Sequence, residues 1–162
     1  MAQQLAQEAR VRSAGTLKGT QRVHSHRHKI STILVVEHHP LFLKLIKEIL
    51  EAARFRVLTA SSPKEAMRIE AGFSGTIDLL LSEVMMSRHS LGTKLATALK
   101  DRRPKMRMML MSVYPGGELL ILNYGWHFIQ QPFLAHALVR RVKVVLASKT
   151  REQGTDHFDT RK

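Results

Sequence analysis

Short apolar runs alternate with amphipathic stretches along the centre of the chain, between residues 31 and 148. Residues 32–36 form an apolar, β-branched run of the kind found in buried strands. In residues 40–53 the apolar positions recur every three or four residues, which is typical of a helix with one buried face. The same pattern returns and predicts further strands at residues 55–60, 78–83, 107–111 and 126–130.

Each of these later strands is also followed by a predicted helix. The first of these helices is expected to begin near residue 62, and the others to cover residues 92–100, 115–124 and 134–146. In the last helix, the side chains expected to face inward are those of Leu134, Leu138, Val142 and Leu146. Strand-then-helix units in succession imply a parallel sheet with right-handed crossovers. The predicted fold class is therefore α/β, a flavodoxin-like three-layer sandwich. Its five-stranded parallel sheet has the order 2-1-3-4-5, with helices on both faces.

One apolar run ends abruptly at a carboxylate. Residues 78–87 read Asp-Leu-Leu-Leu-Ser-Glu-Val-Met-Met-Ser, which is typical of a strand buried on both faces. The pattern places Glu83 at the carboxyl end of this strand, and open α/β sheets bind ligands along that edge. Glu83 is therefore the central candidate for a functional site.

The composition indicates one domain with tails. The chain has 162 residues, no cysteine and no apolar run near the about 18 residues that a membrane span requires. Disulfides and thiolate metal sites are excluded, and the first residues lack the apolar core of a signal peptide. We expect a cytoplasmic protein without a membrane span. The expected organisation is a disordered basic tail over residues 1–30, a folded domain over residues 31–148 and a short polar tail over residues 149–162.

The charge balance raises a second class of function. Lysine and arginine number 26 against 13 acidic residues, for a net charge of +13, and such an excess attracts polyanions. The basic residues form two clusters in the folded region, at Lys100, Arg102, Arg103, Lys105 and Arg107, and at Arg140, Arg141 and Lys143. One alternative function is therefore a basic module that contacts nucleic acid without sequence selectivity.

Three histidines alternate with other residues in the basic tail. In an extended chain, His24, His26 and His28 would lie on one side, and such a tract can bind a transition metal. A solvated basic tail is the simpler interpretation, because nothing in the sequence supplies a fixed ligand geometry.

Polar residues stand at the ends of four predicted strands. Glu37 and His38 follow the first strand, Glu83 ends the third, Ser112 follows the fourth, and Gln131 follows the fifth, directly before Pro132-Phe133. In this order and spacing, residues 31–148 resemble the receiver domain of two-component response regulators. In that family two acidic residues after the first strand hold Mg²⁺, an aspartate ending the third accepts phosphate, and the fifth ends in a lysine before Pro-Phe.

The resemblance implies a receiver whose phosphorylation site has been altered. His38 replaces one acidic residue, Glu83 stands at the acceptor position, and Gln131 stands at the lysine position. Ser112 keeps the switch hydroxyl, which the family supplies as Ser or Thr at the end of the fourth strand. We expect phosphoryl transfer to be impaired, Mg²⁺ binding to be weak or lost, and no enzymatic activity. Glu83 could instead mimic the phosphorylated state, with a hydrogen bond from Ser112 or Gln131. A receiver that still accepts phosphate is a further alternative.

His38 has two interpretations. A protonated imidazole between Glu37 and Glu83 could replace the missing cation. The simpler interpretation is an exposed residue that remained after metal binding lapsed.

The resemblance also implies where a protein partner binds. Receivers commonly signal through the face of the fourth helix, fifth strand and fifth helix, where this chain offers Leu120, Ile121, Tyr124 and Val139. At least one of residues 119–121 is expected to point outward. The expected partner is a histidine kinase or an output protein, so the function predicted is signal transduction by protein–protein interaction.

Overall fold

The computed structural model describes residues 29–87, 90–121 and 124–148. The predictions for the two tails, including His24, His26 and His28, lie almost entirely outside these ranges. The strands are β1 (Thr32–Val36), β2 (Arg56–Ala60), β3 (Leu79–Glu83), β4 (Met85–Ser87), β5 (Ser90–Leu91), β6 (Arg107–Ser112) and β7 (His127–Gln130). The α-helices are α1 (Pro40–Ala52), α2 (Pro63–Gly72), α3 (Gly92–Arg102) and α4 (Ala135–Ala147).

Five strands form one parallel sheet in the order β2-β1-β3-β6-β7. Numbered along the chain, these strands have the order 2-1-3-4-5, so the predicted flavodoxin-like topology is confirmed. The central strand β3 pairs with β1 and with β6, and Glu83 lies opposite Met111. The two remaining strands, β4 and β5, form a short antiparallel ribbon after β3 that the sequence pattern did not predict.

A separate apolar core covers each face of the sheet, because alternate side chains of a strand point to opposite faces. On one face, Leu34, Leu80 and Leu110 pack against α2 and α3. On the other, Ile33, Leu79 and Met109 pack against α1 and α4. All six side chains are buried, and full burial of each stabilises the fold by about 1.5–3 kcal/mol.

The start of α2 illustrates how local sequence sets the helix boundaries. Ser62 caps the helix with its hydroxyl, which accepts a hydrogen bond from the backbone N–H of Glu65 at 3.3 Å. The Glu65 carboxylate in turn accepts from the backbone N–H of Ser61 at 2.8 Å. Pro63 then occupies the first turn, where its missing N–H costs nothing. The helix thus begins where the sequence predicted.

The predicted helix over residues 115–124 is wrong. The structure has a short 3₁₀ helix, Gly117–Leu120, preceded by Gly116 in the left-handed conformation with φ of 75°. Its backbone bonds span three residues, from Leu119 N to Gly116 O at 2.9 Å and from Ile121 N to Glu118 O at 3.0 Å. Two consecutive glycines disfavour the start of an α-helix. The segment forms a short 3₁₀ helix instead, and the side chain of Ile121 after it is buried in the core.

Two further expectations concern the last helix and membrane spans. In α4, Leu138 and Val142 are buried as predicted, whereas Leu134 is exposed because it precedes the first turn of the helix as its cap residue. In the described part of the chain, no helix is both long enough and apolar enough to cross a membrane.

Candidate functional site

The predicted site residues gather along one edge of the sheet. Because β1, β3, β6 and β7 are parallel, the residues at their carboxyl ends lie along the same edge. Glu37, His38 and Glu83 form one group there, in which one ligand atom from each residue lies within 4.8 Å of the others. Ser112 and Gln131 form a second group on the neighbouring strands.

Within the first group, His38 contacts both carboxylates. Its Nδ1 lies 2.5 Å from Glu83 Oε2 and 3.3 Å from Glu37 Oε1. Glu37 is only 2% exposed, and its Oε1 also accepts a hydrogen bond from the backbone N–H of His39 at 2.9 Å. The His38 side chain is 52% exposed, so the group is buried on the carboxylate side and open to solvent at the imidazole.

The electrostatics of this group centre on Glu83, which is 8% exposed. Burial raises the pKa of its carboxyl, and the nearby negative charge of Glu37 raises it further. The hydrogen bond from His38 and the attraction to its imidazole act in the opposite direction and only partly offset this rise in pKa. Two carboxylates in one poorly solvated site therefore favour a bound proton or cation between them.

In the second group, the backbone of Ser112 makes most of the contacts. Its carbonyl oxygen accepts hydrogen bonds from Gln131 N at 2.8 Å and from Gln130 Nε2 at 3.0 Å. Its hydroxyl oxygen accepts from the backbone N–H of Tyr114 at 3.1 Å. The Gln131 side chain is buried, and the peptide bond to Pro132 is cis.

The expected hydrogen bond from Ser112 or Gln131 to Glu83 is not formed. Among the described residues, the side chain that pairs with Glu83 Oε2 is His38. The hydroxyl oxygen of Ser112 accepts a hydrogen bond from the backbone N–H of Tyr114, in the loop that follows β6. His38 is exposed, as its simpler interpretation expects, and its Nδ1 also contacts the carboxylates of Glu37 and Glu83.

Gly92 is a site residue that sequence reasoning missed. The first residue of α3 lies against the end of β3, and a Cβ atom at this position would stand 2.0 Å from the carbonyl oxygen of Glu83. The backbone N–H of Gly92 donates to Val84 O at 2.7 Å, and Ser82 Oγ donates to Glu83 O at 3.1 Å. Its contact with the end of β3 required the tertiary structure, because nothing in the local sequence pattern indicates it.

The predicted partner surface is only partly at the surface. Ile121 is 2% exposed and belongs to the core, so its assignment to this surface is wrong. Leu119 is the outward residue of this segment, at 68% exposure. Tyr124 is partly exposed and stacks on Trp126 with ring centroids 4.2 Å apart, and Val139 is half-buried. The side chain of Leu120 lies outside the described part of the structure.

The first basic cluster is largely engaged inside the protein. Arg102 Nε and Arg103 Nε donate to the two oxygens of the buried Glu70, at 2.7 Å and 2.8 Å. Arg103 also donates to the carbonyl oxygens of Gly75 and Phe73, both at 2.8 Å. Burial opposes ionisation of Glu70, but the bonds and charges of Arg103 and Arg102 outweigh it and lower the pKa of the carboxyl. These arginines hold α2 and α3 together.

Two other cations of this cluster also bind backbone carbonyls. Lys100 Nζ donates to the carbonyl oxygens of Pro104 at 2.6 Å and Met106 at 3.0 Å. Burial lowers the pKa of Lys100, and the positive charge of Arg107 lowers it further. Arg107 itself donates to Ser148 O at 2.8 Å. The cluster therefore offers fewer free cations to a polyanion than its sequence indicated.

Comparisons with known proteins agree with this fold. The sequence profile of the response regulator receiver domain matches residues 33–143. A response regulator receiver domain protein from Clostridium thermocellum is 25% identical and has a TM-score of 0.65, covering 72% of this chain and 94% of that chain. A response regulator from Thermotoga maritima is 25% identical with a TM-score of 0.64, covering 74% of this chain and 99% of that chain.

A third structure supports the fold alone. The CheY-like receiver domain protein from Methanospirillum hungatei JF-1 is 23% identical, covers 72% of this chain and 94% of that chain, and has a TM-score of 0.65. The profile match extends over most of the chain and includes Glu37, Glu83, Ser112 and Gln131. The chain therefore belongs to the response regulator receiver domain family of two-component signalling.

Proposed function

We propose that this receiver domain has lost phosphoryl transfer and signals by binding a protein partner in one fixed conformation. The observation that carries the proposal is the contact of 2.5 Å between His38 Nδ1 and Glu83 Oε2. Through this contact, the carboxylate at the acceptor position already has a partner within the same domain. The partner expected for this function is a histidine kinase or an output protein.

Phosphoryl transfer depends on positioning and on neutralisation of the charge of the transferred group. Gln131 offers a neutral amide where a lysine would supply a positive charge. Glu83 is one methylene longer than aspartate, which displaces the carboxylate by roughly 1.5 Å. A misplacement of about 1 Å costs on the order of 100-fold in rate. Each change is expected to slow phosphoryl transfer to Glu83, and the two together argue that the domain has lost this reaction.

The residues present do not fit Mg²⁺. This ion requires near-octahedral oxygen ligands, whereas His38 presents a nitrogen atom within 4.8 Å of the ligand atoms of Glu37 and Glu83. No step of the proposed function therefore depends on Mg²⁺.

The same pair of side chains supports a conformational role. His38 belongs to the segment between β1 and α1, and Glu83 ends β3, so their contact joins that segment to the end of the central strand. In this proposal the Glu83 carboxyl is held by the imidazole of His38 and is not modified by a phosphoryl group. The domain would then present one surface to its partner without a phosphorylation cycle.

Phosphorylation tests the proposal directly. We expect the wild-type chain to remain unlabelled by acetyl phosphate and Mg²⁺ in mass spectrometry. The triple variant His38→Asp, Glu83→Asp, Gln131→Lys restores the acidic pair, the acceptor and the lysine, and is expected to gain label at position 83. Labelling of the wild type that disappears in Glu83→Gln would contradict the proposal and support a receiver that still accepts phosphate.

The same variants test the conformational role. We expect Glu83→Gln to alter the NMR signals of the Ser112 region and to weaken retention of the partner in affinity capture. Glu48→Gln is the matched control, because Glu48 is exposed on α1, where it pairs with the exposed Lys44 at 3.9 Å. Unchanged signals and unchanged capture in Glu83→Gln would show that the His38–Glu83 contact holds no signalling conformation.

A further inference from the structure

We propose that Lys29, Arg54, Arg140, Arg141 and Lys143 form a surface that binds the phosphate backbone of a nucleic-acid duplex without reading its sequence. This surface, the basic face, lies towards the amino ends of the strands, whereas Glu83 ends β3 at the carboxyl edge. The proposal goes beyond the proposed function and does not depend on it.

A groove at the amino edge of the sheet brings cations from separate segments together. Lys29 precedes β1, Arg54 follows α1, and Lys143 lies near the end of α4. These three residues line one open groove, whose apolar wall includes Phe55 and Leu146. The basic face therefore arises from the packing of α1 and α4 on the sheet, and no single stretch of sequence contains it.

The helix α4 extends this groove into a longer basic surface. It contains no acidic residue, and Arg140, Arg141 and Lys143 are all exposed. Arg140 and Lys143 are three positions apart, so their Cβ atoms lie about 5–6 Å apart on the helix surface. The apolar side of α4, with Leu138 and Val142, is buried against the sheet. The basic side of the helix is therefore left facing solvent.

The cations of the basic face are available to a ligand. Lys29 has an acidic partner, Asp78, whose Oδ1 lies 3.6 Å from Lys29 Nζ, but the Lys29 side chain is still 69% exposed. Within the described ranges, the side chains of the other four members form no ion pair and no hydrogen bond. They differ in this from Arg102 and Arg103, which are bound to the buried Glu70.

The environment of His127 indicates that positive charge accumulates on this side of the molecule. Burial lowers the pKa of its imidazole, and the positive charges of Arg141 and Arg107 lower it further. His127 is the first residue of β7, so the positive field of α4 reaches the edge strand of the sheet. A field of one sign that extends over several segments attracts a polyanion and accelerates its association.

The chemistry of the basic face favours a nucleic-acid backbone over other polyanions. A duplex carries one negative charge per about 1.7 Å of its axis, so cations spaced about 5–6 Å apart meet several phosphates. The exposed large apolar side chains next to these cations in the described chain are Ile30 and Val144. A helix that binds a membrane surface presents Trp, Phe or Leu there, and the centre of a protein interface is depleted in charge. Contacts to phosphates carry no sequence information, so no sequence preference is expected.

Fluorescence anisotropy with a labelled DNA duplex of about 20 base pairs tests the basic face in the full chain. Each phosphate contact contributes about 0.9 to the slope of log affinity against log salt concentration. We therefore expect the double variant Arg140→Gln with Lys143→Gln to reduce the slope by about 1.8. At about 100 mM salt it should also weaken binding by at least about 10-fold. The double variant Lys29→Gln with Arg54→Gln should act in the same direction, because both residues line the adjoining groove.

The matched control removes the same charge from the other side of the protein. Lys64 and Lys94 are exposed on α2 and α3, which cover the opposite face of the sheet. The double variant Lys64→Gln with Lys94→Gln should change the slope by less than about 0.5 and the affinity by less than about twofold, since it removes no phosphate contact. The basic residues of the tail are present in every variant, so their contribution to binding cancels in the comparison. Circular dichroism checks that each variant is folded.

Four outcomes would overturn the proposal. The first is that the duplex does not bind, and the second is that the control weakens binding as much as the two variants of the basic face. A third is that two duplexes of unrelated sequence differ in affinity by more than about 10-fold, since phosphate contacts alone do not discriminate between them. The fourth is that the variants lose binding to vesicles of phosphatidylcholine and phosphatidylserine but keep binding to DNA, which would identify an anionic membrane as the partner. None of these outcomes bears on phosphoryl transfer, which acetyl phosphate labelling measures separately.

Discussion

At the end of β3, the buried carboxylates of Glu83 and Glu37 lie beside the exposed imidazole of His38. Its side chain faces His38, while its backbone carbonyl lies under Gly92. Both contacts come from residues that are adjacent to it only in the folded chain. At the residue scale, the position of the Glu83 carboxylate therefore depends on two residues from other segments, His38 at its side chain and Gly92 at its backbone.

The requirement for glycine at position 92 is directly testable. A Cβ atom there would lie 2.0 Å from Glu83 O, a backbone atom that cannot move alone. We expect Gly92→Ala to lower the free energy of unfolding by about 1–3 kcal/mol, as overpacking of a filled site does. Urea denaturation measures the change.

Gly72→Ala provides the matched control for this prediction. Gly72 lies in α2, and a Cβ atom there would meet nothing within 4 Å. Alanine is favoured over glycine in a helix by roughly 1 kcal/mol, so this variant should be neutral or more stable. Equal effects of the two substitutions would show that the close contact at Gly92 is not what constrains the residue.

At the scale of elements, α2 and α3 are joined by one buried carboxylate and two arginines. Glu70 accepts from Arg102 and Arg103, and Arg103 also binds the carbonyl groups that follow α2. We expect Glu70→Gln to lower the free energy of unfolding by about 1–3 kcal/mol at pH 7, since hydrogen bonds to charged groups are worth about 1.5–3 kcal/mol. Glu48→Gln, which affects an exposed pair, should change stability by less than about 0.5 kcal/mol.

The contribution of Glu70 should also depend on pH. The pKa of its carboxyl is lowered in the folded state from the ordinary value of 4.5. Its contribution to stability is therefore fully present above pH 4.5 and is lost as the pH falls through the lower folded-state pKa. The stability difference between wild type and Glu70→Gln should shrink on acidification below pH 4.5, and a constant difference would exclude this origin.

At the scale of the whole molecule, the sheet separates two apolar cores that belong to one folding unit. Leu79 and Leu80 are neighbours in β3, but they point to opposite faces and into different cores. We expect Leu79→Ala and Leu80→Ala each to cost about 2–5 kcal/mol, because both side chains are fully buried. The exposed Leu41→Ala should have little effect.

Thermal unfolding distinguishes one cooperative unit from two. If the cores act together, each substitution should shift a single transition monitored by Trp126 fluorescence and by circular dichroism. Separate transitions for the two variants would contradict a single folding unit.

The sequence by itself determined the five strands of the parallel sheet, the four α-helices and the residues at the carboxyl edge, whereas the sheet order was expected from the common topology of such units. Periodicity carries this information because a buried face repeats every two residues in a strand and every three or four in a helix. Ser62 and Pro63 likewise set the start of α2 through local contacts alone. The position of Glu83 at a strand end followed from the same local pattern.

Only the tertiary structure decided which of these residues meet. His38 pairs with Glu83 from 45 positions away, Gly92 packs on the Glu83 backbone, and Ile121 enters the core from a segment predicted to be helical. Likewise, Arg102 and Arg103 of the first basic cluster bind the buried Glu70 inside the protein. These outcomes depend on distances between separate elements, which packing of the sheet and helices establishes and which no local pattern encodes.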